Sequence, residues 1–192
     1  MKKLLGILVL GLFLITPSQA DDIRDFQIEG MSIGDSALDY FSENEIKNNK
    51  RNYYKNKKFT PVEMDKYSFY KIYDAVDFKY KTGDENYIIY GLSGVLTYTH
   101  NVKDCYNKMD DVVEELSKLY KNNSKKSNKK EYTHKIDPSG KSKYTSVNFI
   151  LNDSSMVRVV CYDYSEESGY GDHLSVSMNT REVLDFLLIA YD

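Results

Sequence analysis

The sequence has no tryptophan, three prolines, three histidines and two cysteines among its 192 residues. The three histidines, His100, His134 and His173, form neither H-x-x-x-H nor H-E-x-x-H, which removes the zinc-protease arrangement. No G-x-x-x-x-G-K and no G-x-G-x-x-G occurs, so neither nucleotide-cradling fingerprint is present. Gly91-Leu92-Ser93-Gly94 lacks the spacing of a nucleophile elbow. Beyond residue 20 no stretch approaches the roughly 20 apolar residues a membrane helix needs. No cofactor follows from any of these patterns.

The longest apolar run lies at the start. Lys2 and Lys3 precede Leu4 to Thr16, Pro17 breaks the run, and Ser18-Gln19-Ala20 ends it with small residues at the first and third positions. This predicts a secretory signal peptide over 1–20, cut after Ala20, rather than a retained anchor. The expected address is the periplasm or the extracellular space, with no transmembrane span after cleavage. Removal of residues 1–20, which hold two lysines and no acid, leaves 24 basic against 29 acidic side chains. A mildly acidic chain of this kind carries no general bias toward nucleic acid. Residues 21–192 have the length of a single domain. In an oxidising compartment Cys105 and Cys161 read first as one disulfide, with two buried thiols as the alternative.

The periodicities predict an α+β fold. Short helices are expected after Asp35 or Ser36, and after the Ser42-x-x-Glu45 capping box. Strands are expected over 67–73, 76–80 and 87–99, where apolar and polar residues alternate and Gly91 and Gly94 suggest a bend. Asn101 opens an amphipathic helix in which Val102, Cys105, Met109, Val112, Val113, Leu116 and Leu119 share a face. Strands over 146–151, 157–162 and 174–178 follow, and then a last helix capped by Asn179 with Val183, Leu184, Leu187, Leu188 and Tyr191 on its buried side. The expectation is a two-layer domain: an antiparallel sheet of about six strands, as two three-stranded meanders, with helices packed on one face. Cys105 on the helix and Cys161 on the Val157/Val159 face of a strand could then meet.

Two stretches, 47–58 and 121–135, hold half of the basic side chains left after signal removal. Residues 47–58 carry Lys47, Lys50, Arg51, Lys55, Lys57 and Lys58, and 121–135, within the exposed connection 121–143, includes Lys125, Lys126, Lys129 and Lys130. If the two lie together they form an anion-binding surface for a polymer, a lipid headgroup or an acidic protein. The loop 163–173 gathers Asp163, Glu166, Glu167, Asp172 and His173, an arrangement open to a hydrolase site or to a solvated hairpin. Its spacing does not match an EF-hand. The expected function is non-enzymatic binding of a protein or an anionic envelope component, with a hydrolase near 163–173 as the alternative. Partner and oligomeric state stay open.

Ile28-Glu29-Gly30-Met31-Ser32-Ile33-Gly34-Asp35-Ser36 through Phe41 resembles the helix-opening motif of small outer-membrane-assembly lipoproteins and of β-lactamase-inhibitor-like domains, which place Gly-Met before a capped helix and then antiparallel strands. The chain departs from that pattern in lacking a lipobox cysteine and in adding far more strand. More broadly it is similar to secreted proteins of AT-rich bacteria.

Overall fold

The computed structural model describes residues 23–99, 101–135 and 137–191. The expected signal segment 1–20 and His100 lie outside them. Eight strands form a single antiparallel sheet: β1 (Phe59–Asp65), β2 (Ala75–Lys81), β3 (Gly91–Thr97), β4 (Ser124–Lys126), β5 (Lys130–Thr133), β6 (Lys143–Leu151), β7 (Met156–Asp163) and β8 (His173–Asn179). Their spatial order is β1-β2-β3-β8-β7-β6-β4, with β5 also paired to β6. Three α-helices accompany them, α1 (Glu43–Asn48), α2 (Val102–Leu119) and α3 (Arg181–Leu187).

This corrects the expected six-stranded, two-meander sheet with helices on one face. The halves are not separate meanders, because β8 pairs with both β3 and β7 and fuses them. Nor do the helices share a face. Alternation along each strand sends Val62, Phe78, Leu92, Val176, Val159 and Phe149 to one side, where α2 packs on β7 and β8. The segment 23–48, including α1, covers the rest of that side through Ile28, Met31, Phe41 and Ile46. The side chains of α3 lie against the opposite face, in a small separate cluster of Tyr54, Phe59, Val183, Phe186 and Ala190.

Three strands arise where none was expected, each for a local reason. Pro61 disguises β1. Its carbonyl accepts from Arg51 N, so the N–H it lacks would point to the outer side, where the β1–β2 ladder needs none. The lysine-rich 121–143 connection yields β4 and β5, both supported on β6. Conversely, the alternating 67–73 segment is not a strand. Glu29, at φ +51°, turns its carboxylate onto three successive amides there: Lys71 N at 2.7 Å, Ile72 N at 2.7 Å and Tyr73 N at 2.8 Å. Tyr67 and Phe69 close over Phe41 instead of pairing in a ladder.

Helix ends follow the sequence in part. The Ser42 capping box forms in full. Asn101 gives its side-chain amide to Asp104 rather than to the helix, and Thr180 rather than Asn179 caps α3. The one-residue shift in α3 buries Phe186 and leaves Leu188 and Tyr191 exposed, opposite to expectation. Gly91 and Gly94 pair regularly with no bulge; a Cβ at Gly94 would stand 2.6 Å from the Tyr73 ring, so the glycine makes room for it.

Cys105 and Cys161 form the expected disulfide, with Cα atoms 6.0 Å apart. No helix among the described residues is long and apolar enough to cross a membrane.

A second fixed point is Asp137, a buried carboxylate. It accepts from Ser139 N and Oγ, Ser142 N and Oγ, and Ser165 Oγ at 2.6–3.0 Å. The hydroxyls of Ser142, Ser139 and Ser165 hold it well below the usual carboxylate range. A depressed folded-state value contributes stability above the unfolded value near 4, lost as pH falls through the folded one. Asp137→Asn is therefore expected to lower the melting temperature at pH 7, with the gap to wild type narrowing in acid. Parallel melts at pH 7 and pH 3 check this, and a constant gap would refute it.

Candidate functional site: a polar trough on the sheet

The sheet face opposite α2 is polar by the same alternation that makes the other face apolar. Outward positions are Asp77 and Lys79 on β2, Ser93 on β3, Ser175, Ser177 and Asn179 on β8, Arg158 on β7 and Asn148 on β6. Register aligns five of these with Glu63 of β1 in one cross-strand row: Asn148, Arg158, Ser177, Ser93, Asp77, Glu63. A second row is aromatic, with Tyr132, Tyr144, Tyr162 and His173 as successive partners. Their ring centroids lie 5.0, 5.8 and 4.6 Å apart. Tyr54, Leu184 and Leu187 wall one side, leaving a trough of about 240 Å³ over the sheet. Gly91 makes room for the lining residue Asn179, since a Cβ there would approach Asn179 Oδ1 to 2.8 Å.

The polar groups of this trough are incompletely satisfied. Asn179 is 5% exposed and its Oδ1 has no hydrogen-bond partner; Arg158 Nε is likewise buried and unpartnered, as is Asn148 Oδ1 on the same face beyond the trough lining. Buried polar atoms are nearly always paired, so three along one face mark a place where partners are missing. Arg158 lies over the Tyr144 ring at 5.5 Å. Among the described residues neither Arg158, Lys79 nor Asp77 is in an ion pair. Burial pushes the Asp77 carboxyl up to about 7; Lys79 pulls it down and Glu63 and Asp65 push it up. Burial lowers the Lys79 ammonium and the His173 imidazole and raises the Tyr162 phenol.

The basic segments do not meet. Residues 47–58 run beside β1 and residues 125–130 form β4, β5 and their connection, at opposite ends of the sheet. Many of their charges are occupied locally. Lys47 pairs with Glu43, Arg51 with Glu63, Lys58 with Glu182 and Lys129 with Asp110. Lys126 reaches Ser117, and Lys130 lies over Tyr132. Lys125 sits opposite Ile150 in the β4–β6 ladder, and Lys55 is held through its backbone to Ala190. One pocket does form, of about 290 Å³, where Lys50, Arg51 and Lys57 join Thr60 and Thr82 with no carboxylate in the wall.

Asp163 and His173, at the two ends of the 163–173 loop, do not converge, although Glu166 and Asp172 line one pocket of about 430 Å³ with Tyr164 and Tyr170. Asp163 follows the α2-side register of Val157, Val159 and Cys161, whereas His173 belongs to the opposite face. Asp172 accepts from Tyr164 N, and Glu167 pairs with Lys141. No three His, Cys, Asp or Glu side chains among the described residues gather as a metal site.

The trough residues escaped sequence reasoning because they come from four strands that only register brings together. One signal was available: after His173 the outward positions of β8 are Ser175, Ser177 and Asn179 rather than the Lys and Glu of an ordinary solvated face. No family model matches the chain, and no curated protein or solved structure does either.

Proposed function

We propose that this protein is an exported, non-enzymatic binding protein whose ligand occupies the polar trough. The observation that carries this reading is the pair of buried, unpartnered atoms in the trough lining, Arg158 Nε and Asn179 Oδ1. An unmade hydrogen bond at a buried group costs about 1–3 kcal/mol, and a bound polar molecule would recover that cost. The disulfide supports an oxidising destination.

A thermal-shift screen of small polar molecules tests it, run in parallel on the wild type and on Ser177→Phe, which fills the floor. Ligands at one hundred times Kd are expected to stabilise the wild type by about 2.7 kcal/mol and to leave Ser177→Phe unchanged. Equal stabilisation of both proteins would place binding elsewhere.

A second reading, recognition of an anionic envelope component, is favoured by the acid-free wall around Lys50, Arg51 and Lys57. It requires only the 47–58 segment, since the 125–130 lysines are too distant to contribute. Stabilisation by phosphate or sulfate that Lys50→Gln removes and Ser177→Phe retains would select it.

A further inference from the structure

We propose that the trough takes a short zwitterionic peptide, with its carboxylate on Arg158 and its ammonium on Asp77. This rests on the trough being the ligand site.

The first argument is the order of the row. Arg158 and Asp77 are separated by Ser177 and Ser93, three strand spacings or about 14 Å between Cα atoms. The arginine guanidinium lies toward Tyr144 of β6, away from Asp77, so its side chain does not shorten the span. An extended peptide advances about 3.3–3.6 Å per residue, so three residues, with a charge-assisted hydrogen bond of about 2.8 Å at each end, bridge it. A trough of about 240 Å³ agrees with that size; at roughly 30 Å³ per water it displaces about eight waters.

The second argument is the chemistry of what is missing. Arg158 Nε is a donor without an acceptor, and a guanidinium edge presents Nε–H beside a terminal N–H to a carboxylate as a bidentate pair. Asn179 Oδ1 is an acceptor without a donor, and peptide N–H groups are donors. The hydroxyls of Ser93 and Ser177 lie between and can serve peptide carbonyls. A plain organic acid would satisfy only the arginine end.

The third argument is the charge around Asp77. Glu63 faces it from β1, Ser93 from β3 and Lys79 from its own strand, while Arg51 is committed to Glu63. Tyr53 and Tyr54 stand near enough for Asp77 to raise their phenols further, after burial itself. Burial, with Glu63 and Asp65 adding to it, lifts the carboxyl to about 7 despite Lys79. A ligand ammonium supplies the missing counter-charge, so binding at pH 7 expels the proton that Asp77 holds part of the time.

Calorimetry of the purified protein at pH 7, in two buffers of different ionisation enthalpy, tests the proposal with Gly-Gly-Gly, its N-acetyl form and its C-terminal amide. Expected is binding of the free peptide with proton release, and at least tenfold weaker binding of each capped form. Arg158→Gln should abolish discrimination against the amide, and Asp77→Asn should abolish both discrimination against the acetyl form and the proton release. Equal affinity for free and capped peptides would overturn the proposal without any variant, so misfolding of a variant cannot shelter it. If the screen yields trough ligands but the peptides do not bind, the ligand class is wrong and the trough remains a site; if nothing occupies the trough, both readings fall.

Discussion

Replacing Cys105 and Cys161 together with alanine is expected to lower the free energy of unfolding by about 4 kcal/mol. The bond links positions 56 residues apart, and a loop of that length restricts the unfolded chain by about this amount in the entropy model. A domain of this size has only about 5–15 kcal/mol in total, so the loss is a large share. The effect should reach further than the bond. Cys105 opens the buried stripe of α2, and Cys161 lies inside the β7 ladder between β6 and β8. The bond thus pins the helix to the middle of the larger half of the sheet. Urea titrations of the double alanine variant and of reduced wild type should agree to within about 1 kcal/mol, because both lack the same constraint. A variant that loses less than about 1 kcal/mol would show that α2 packing alone fixes the helix and that the unfolded chain is already compact.

Glu29→Gly is expected to cost about 3 kcal/mol. Its carboxylate accepts from three consecutive amides of the 66–74 connection, and hydrogen bonds to a charged group contribute about 1.5–3 kcal/mol each before losses to water and shared geometry. Glycine is the informative substitution because Glu29 sits at positive φ, which glycine adopts without penalty. Backbone relief then works against the loss, and whatever destabilisation remains belongs to the carboxylate. Glu29→Gln keeps one acceptor oxygen and should fall between glycine and wild type. Chemical denaturation of the three proteins gives the ranking. Equal stability of Glu29→Gly and wild type would mean that Tyr67, Phe69 and Tyr70, through their packing on Phe41 and on one another, hold the connection unaided.

These two sites mark the limits of reading the sequence alone. The disulfide was legible, because compartment, cysteine count and the apolar faces of α2 and β7 all pointed to it. The helices and most of the strands were legible from periodicity as well. The role of Glu29 was not, since its partners lie 42–44 residues away and no local pattern records so distant a contact. The 67–73 segment misled for the same reason: it alternates like a strand, but Glu29 satisfies its amides before a neighbouring strand can. β1 was hidden by Pro61, whose meaning depends on which side of the ladder it faces. β4 and β5 were hidden by lysines, which suit a sheet edge as well as they suit a loop. The candidate site was the least legible feature. Its sheet residues are spread over four strands, and only register joins Arg158 to Asp77. The basic segments stood out because they are contiguous in sequence, which is unrelated to whether the fold brings them together.

The position of β8 has a consequence for how the chain reaches its folded state. It sits between β3 and β7, so until residues 173–179 arrive, the strands made earlier exist as two sheets, each with a raw inner edge. Those edges offer unpaired amides and carbonyls to any neighbouring chain. Closure must also bring together residues about 80 apart along the chain, as in Gly94 with Val176, which favours slow folding. The chain therefore stays open until β8 arrives, and for that interval the two inner edges are what must be kept from neighbouring chains.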